Sequence, residues 1–361
     1  MDRAVLLLGE RSMIFDPILD LFRGKAVTIP PLDGAFRPNQ ALDDAPLIAT
    51  LPDVDNALVH DGRLVVSSGR KLLSISSTGQ QEVLQEFDAE ICATAASASG
   101  TLAIALVSGS LVLDREALPL PKEIRCITAL AFAPDGALWL ANGADRIAPD
   151  QWARDLMSKG RSGSVWKIEP GSRAPRKVAG GLAFPYGLLA NSDGVAVSEA
   201  WHHRIVRISA SGPIETVVDN LPGYPARLSQ AADGGAWLSI FAPRNRLIEF
   251  VLQEQRYRED MMASVPPEFW IAPSLSSGTS FLEPLQCGGI KTMGIHKPWS
   301  PSRSYGLVVK LDARLQPLSS LHSRADGIRH GTTSVAEHEG RLFITCKGAG
   351  MLVSMDVAEV R

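Results

Sequence analysis

ALAFAPDGALWLAN (129–142) is an apolar run, a turn at Asp135-Gly136 and a second apolar run. It reads as a β-hairpin. Gly supplies the positive φ that the turn needs, and Asp bonds its own backbone. The design recurs as ALVHDGRLVVSS around Gly62, TAASASGTLAIAL around Gly100, GLLANSDGVAVSE around Gly194, RLSQAADGGAWLSI around Gly234 and SVAEHEGRLFITC around Gly340. One hairpin would be ordinary. Six of fixed design predict an array of like units, each burying its face only against its neighbours. A further strand follows each turn in KLLSIS (71–76), SLVLD (110–114), SVWKIE (164–169), RIVRIS (204–209) and LVVKLD (307–312). The unit is therefore a meander of about four strands with a spacing near 40 residues, which suits a propeller blade. The fold class is all-β, a six-bladed β-propeller.

Composition agrees. The 361 residues exceed what one compact core holds, and a ring escapes that limit because each blade has its own core. Apolar content is 45% and charged content 21%, so the chain folds. A net charge of −3, with acids and bases interspersed, leaves no nucleic-acid footprint. Cys92, Cys126, Cys287 and Cys346 form no C-x-x-C pair and read as buried thiols of a reducing compartment. The opening run AVLLL is too short for a signal-peptide core, and no stretch approaches the ~20 apolar residues of a membrane helix. A cytoplasmic protein is expected.

Residues 1–46 are expected to form an N-terminal helix and an extended arm, and 47–361 the propeller. Ile14, Ile18, Leu19 and Phe22 recur at helical spacing, with Gly24 as the stop. LIATL (47–51) is expected to pair with MLVSMD (351–356), closing the ring with strands from both ends. Insertions of about 143–162 and 241–304 interrupt the repeat. The longer one opens with a helix that places Leu247, Ile248, Val251 and Leu252 on one face and Glu249, Glu254, Glu259 and Asp260 on a polar face. It reads as a lid over the tunnel mouth, since Met261, Met262, Phe269 and Trp270 would otherwise be exposed. Its acidic face is a poor match for an anionic membrane.

GGLAFPYGLLANSDGVAVSEAWHHRIVRI (180–208) and LPGYPARLSQAADGGAW (221–237) resemble the strictosidine-synthase-like family, as do YGLVVKLD and TTSVAEHEGRLFI. DPILDLFRG fits the branch that includes the adipocyte plasma-membrane-associated protein. The resemblance implies a six-bladed propeller related to calcium-dependent lactonases, gluconolactonases and paraoxonases, with one divalent ion at the tunnel mouth. Hard cations want oxygen ligands, commonly carboxylates. The aligned positions here are Asn56 in blade one, Thr128 in blade three, Tyr186 within Phe184-Pro185-Tyr186-Gly187, and Arg227 within Pro225-Ala226-Arg227. They hold no carboxylate, and they place a cation where the ion would sit. The expectation is therefore no metal and no cofactor. His330 falls nearest the catalytic Glu that the resemblance would place before the last hairpin.

Tyr186, Arg227 and His330 thus become the candidate catalytic groups. Arg227 offers a fork of donors to a carboxylate or oxyanion, His330 can exchange a proton, and Tyr186 can donate to a carbonyl. Asn56, Thr128, Asn142, Thr333, Ser334 and Trp270 are expected to line the substrate pocket. Glu199, His202 and His203 invite a metal reading, but adjacent strand residues face opposite ways, so the two histidines do not easily share one ion. The resemblance implies a structural role for this turn, with His bonding between blades. No G-x-S-x-G elbow is present. The leading reading is a metal-independent enzyme acting on a small organic molecule by hydrolysis or by a lyase or condensation step. The alternatives are a calcium-dependent lactonase and a non-catalytic ligand-binding or scaffold propeller.

Overall fold

A computed structural model describes residues 28–209, 214–280, 282–284 and 303–360, with the backbone alone for 291–292 and 295–296. The helix expected over 13–24 lies outside the described residues. Six four-stranded antiparallel meanders make up the fold. Blades one to five start at Val54, Ile91, Ile127, Pro185 and Gly223, and blade six at Thr332. All six hairpin turns join the first and second strands of a blade, and every turn glycine takes positive φ. The first strands contact one another in cyclic order, blade six returning to blade one. Leu47–Thr50 completes blade six by pairing antiparallel with Met351–Asp356, Leu47 opposite Val353 and Thr50 opposite Met351. Closure by both ends of the ring removes the exposed edge that an open array would leave.

Between blades, alternate residues of facing sheets interdigitate. Val195, Val197, Val206 and Ile208 of blade four pack against Trp139 and Val165 of blade three. Small residues such as Ala93, Ala103 and Ala105 are fully buried, allowing close approach of the sheets.

The arm is not a loose extension. Residues Ala41–Asp44 form a short helix with Leu42 fully buried. Asn39 donates to Ser320 O at 2.7 Å and accepts from His322 N at 3.0 Å, and Asp43 Oδ1 accepts from Ser323 Oγ at 2.7 Å. Polar side chains therefore dock the arm on the outer strand of blade five.

Both insertions carry helices. In the first, α1 (Trp152–Met157) follows a 3-10 turn. In the second, α2 (Arg246–Gln253) is capped by Asn245 Oδ1, which accepts from Leu247 N at 2.8 Å, and α3 (Gln255–Ser264) follows directly. The expected apolar face is buried at Ile248, Val251 and Leu252. Met261 and Trp270 are buried and Met262 half-buried, in one cluster with Leu156, Met157, Phe184, Tyr224 and Phe241. The two insertions thus pack on each other and on the rims of blades four and five. Glu249 departs from the expected polar face: it is buried, 3.0 Å from Arg244 and 3.5 Å from His203. Among the described residues, no helix is long and apolar enough to cross a membrane.

Candidate active site at the tunnel mouth

Every blade makes the same irregularity at the start of its first strand. Pairing register slips between Val54 and Ala57, Ile91 and Ala93, Ile127 and Ala129, Pro185 and Gly187, Pro225 and Leu228, and Thr332 and Ser334. A β-bulge leaves an extra residue outside the ladder and re-aims its side chain. Here the extra residues include Asp55, Cys92, Thr128, Tyr186, Arg227 and Thr333, one from each blade. The first five line a cavity of about 240 Å³. Its walls are apolar, from Ile91, Val107, Trp152, Phe184, Phe241 and Leu275, with Glu90 and Asp150 exposed at the rim.

Placement of Tyr186 depends on its neighbours. Phe184 takes a left-handed φ of 57°, uncommon for a bulky residue, and its ring stacks on Trp201 at 4.5 Å. A Cβ on Gly187 would lie 2.4 Å from Ala226 O, so only glycine lets blade four approach blade five here. The Tyr186 ring then meets Phe184 and Phe241 edge-on, at 5.8 and 5.6 Å. The Arg227 guanidinium lies 5.2 Å from its centre, a cation–π contact.

An ion triad occupies the axis. Arg227 Nη1 donates to Asp55 Oδ1 at 2.6 Å, and Nη2 to Cys92 O at 2.6 Å. Lys347 Nζ donates to Asp55 Oδ2 at 2.8 Å. Thr333 Oγ1 and Thr345 Oγ1 donate to Asp55 O, holding its backbone. Burial opposes the charge on Asp55, but the two cations outweigh it and hold its carboxyl at about 2. The same attraction raises Lys347 and Arg227 against their own burial, so both stay charged. Burial pushes the Cys92 thiol up to about 12 and raises the Tyr186 phenol. At neutral pH the axis itself therefore holds two cations, one carboxylate and a protonated phenol. Arg227 also lines a second cavity of about 320 Å³ on the other side, so it divides the tunnel.

No family model matches the chain. Among curated proteins it is 22% identical over 295 residues to adipocyte plasma membrane-associated protein of Danio rerio, spanning 69% of this chain and 71% of that one. The Salmo salar protein of the same name is 20% identical over 250 residues, 66% of this chain but about half (53%) of that protein. The chain resembles the adipocyte plasma membrane-associated proteins. Among solved structures, a gluconolactonase from Xanthomonas campestris superposes with a TM-score of 0.54 at 15% identity over 86% of this chain and 88% of that one. A calcium-binding protein, regucalcin, from Agrobacterium tumefaciens gives 0.55 at 13% identity, covering 86% and 92%. These superpositions establish the propeller fold, and the resemblance carried by the blade-four signature is borne out by the two curated relatives.

Set beside a calcium-binding neighbour, the ring of this adipocyte-protein-like chain does not fit a divalent cation. Asp55 is the one carboxylate among the ring residues, and both its oxygens are taken by cations. Thr128 Oγ1 donates to Pro185 O at 2.6 Å, and as a neutral hydroxyl it brings no charge to balance a dication beside Arg227. Among the described residues no cluster of three His, Cys, Asp or Glu side chains is placed to hold a metal.

Several expected site residues lie elsewhere. His330 does not line the cavity: its Nδ1 is 2.8 Å from Ser304 Oγ and its Nε2 2.8 Å from Arg324 O, so it fastens loops of blades five and six. Asn56 faces the second cavity, because the two-residue bulge gives the mouth position to Asp55. Ser334 also lines the second cavity, its hydroxyl on the Ala57 backbone. Asn142 is fully buried, accepting from Arg125 N and Cys126 N. Trp270 packs inside the insertion and donates to Val265 O. Thr333 supports Asp55 from behind. Glu199 binds Ala183 N at 2.6 Å and Arg204 Nε at 2.6 Å, and His203 Nδ1 lies 3.1 Å from Gly223 O of the next blade, the expected structural role.

Asp55 and Lys347 were missed. Lys347 begins the turn after the second strand of blade six, a place that alternation does not assign to either face. One signal was available: a buried Arg227 demands a carboxylate, since arginine is almost never fully buried unpaired.

Proposed function

We propose that the protein acts on a small carbonyl-bearing molecule at the tunnel mouth as a metal-independent, lactonase-like hydrolase. The observation that carries this reading is the axial triad, in which Arg227 and Lys347 supply the positive charge and Asp55 fixes their geometry. Lys347 keeps hydrogens beyond the one given to Asp55. Tyr186 Oη has no hydrogen-bond partner among the described residues. Both groups remain protonated and border the cavity. A lactone or ester carbonyl oxygen seated there accepts from Nζ and Oη, which also stabilise the oxyanion as water attacks. Water adds to the carbonyl carbon, the ring C–O bond breaks, and the alkoxide takes the proton that water loses. Glu90 and Asp150 are the carboxylates at the rim able to relay that proton.

One observation favours a second reading, in which the mouth binds its ligand without turnover. Asp55 is fully engaged by its cations and the Cys92 thiol is pushed up to about 12, so the axis carries no strong base or nucleophile. Turnover of a lactone and ester panel separates the two readings. The hydrolase reading expects hydrolysis that survives chelator and falls in K347M; stoichiometric divalent metal, or hydrolysis lost with chelator, overturns the metal-independent mechanism. The described Cys92, Cys126 and Cys346 are buried and unpaired, which supports placing the protein in a reducing compartment such as the cytoplasm.

A further inference from the structure

The charge arrangement selects among ligands more sharply than the fold does. We propose that the mouth cavity is a recognition site for a small monocarboxylate with an apolar body, its carboxylate bound to Lys347 and Tyr186. The inference rests on the mouth being the functional site, and it holds whether or not turnover occurs there.

Three observations carry it. First, the axial groups sum to one net positive charge, and Asp55 cannot neutralise an incoming cation because both its oxygens are committed. Lys347 is the accessible partner, its side chain 31% exposed against 10% for Arg227. A carboxylate meeting a partly buried ammonium and a phenol gains charge-assisted hydrogen bonds. Second, the remaining wall is aromatic and aliphatic, and at about 240 Å³ the space is small beside the ~300–1,000 Å³ of drug-sized sites. Third, Glu90 and Asp150 stand exposed at the opening, where a second negative charge on the far end of a ligand would meet repulsion. Leu275 sets the length of the site. Its segment is laid so tightly on blade six that a Cβ on Gly348 would lie 1.8 Å from Leu275 O and one on Gly331 2.7 Å from it, so the leucine is held over the cavity beside Lys347.

The test is a calorimetric titration of the full chain at pH 7 with three probes: 3-phenylpropanoate, its uncharged amide and 3-(4-carboxyphenyl)propanoate. The expected order is monoanion tightest, with the amide and the dianion each weaker by about tenfold or more, the scale of one charge-assisted hydrogen bond. K347M should abolish the preference for acid over amide, and K347R should keep most of it. K347R guards against misreading a folding defect, because it preserves the pairing with Asp55. Equal binding of acid and amide, an unchanged preference in K347M, or no heat from any probe at millimolar concentration overturns the proposal. Acid binding with no lactone or ester turnover sustains it while removing the hydrolase reading.

Discussion

Glu199 and Asp55 are both buried carboxylates with two basic neighbours, yet they do different work. Glu199 reaches Arg204 five residues away and Ala183 N sixteen residues away, with His202 2.9 Å off, all close to its own blade. Its partners lock the mouth-side turn of blade four. Asp55 instead reaches Arg227 and Lys347, 172 and 292 residues along the chain, from blades five and six. Those partners still hold donors that face a cavity. The first centre is closed on itself, and the second is satisfied at the carboxylate but open at the cations. A buried charge that serves only architecture consumes its hydrogen bonds; one that serves a ligand leaves some unspent.

The contrast is broken most directly by removing each carboxylate. Asp55→Ala strands two cations in the ring and should cost on the order of 3–5 kcal/mol, the scale for breaking a buried pair. Glu199→Gln keeps an acceptor for Ala183 N, and its partners Arg204 and His202 are nearly 30% exposed. Its cost should be smaller, about 1–2 kcal/mol. Urea unfolding of both variants gives the comparison. A larger loss for Glu199→Gln would mean that the axial triad is not what holds the ring's centre.

Acid titration sharpens the same point. The folded carboxyl of Asp55 sits at about 2 against an ordinary 3.8. A depressed carboxylate stabilises the fold fully above its unfolded value, and that stabilisation is lost as pH falls from about 4 towards 2. The shift corresponds to about 2 kcal/mol. Unfolding free energies measured from pH 5 to pH 2 should fall by about that much more in the wild type than in Asp55→Asn. Parallel curves would show that Asp55 is not held ionised by its neighbours.

The same distances explain what was legible in the sequence. The blades were, because a hairpin is local: each turn ending in Gly carries its own geometry within a few residues. Ring closure followed from the need to cover an edge. The structural role of the Glu199–His203 turn came from the resemblance and not from strand alternation: Ala200–His202 is a 3-10 turn, and His203 reaches Gly223 O of the next blade. The axial triad was not legible. Its members are close only once the ring is closed, and the bulges spoil the alternation that assigns faces elsewhere. The alignment falls on Asn56, one residue from the mouth position Asp55, because the bulge between Val54 and Ala57 shifts the face by one. His330 has a histidine's chemistry, but its loop turns it towards Ser304 and Arg324 O.

Two mid-sized effects separate mouth from scaffold. Gly348→Ala forces the added methyl into Leu275 O and should cost about 1–3 kcal/mol, as overpacking does. It should also weaken binding of 3-phenylpropanoate, because Leu275 is displaced. His330→Asn should cost about 1 kcal/mol through its hydrogen bonds and leave ligand affinity unchanged. Loss of affinity in His330→Asn with Gly348→Ala silent would move the site away from Leu275 and towards the His330 loop between blades five and six.

Tyr186→Phe should show the smallest change in stability, within about 0.5 kcal/mol, since the phenol oxygen has no partner among the described residues and the ring keeps its contacts with Phe184, Phe241 and Arg227. If Tyr186 donates to the developing oxyanion, turnover of a lactone identified in the panel should fall on the order of 10²-fold, the usual effect of deleting one such donor. A structural tyrosine would give the reverse pattern, with stability lost and turnover kept. The pairing of melting temperature with kcat therefore tells an aromatic plug from a working hydrogen-bond donor. It does so at a ring position that the sequence also places at the mouth.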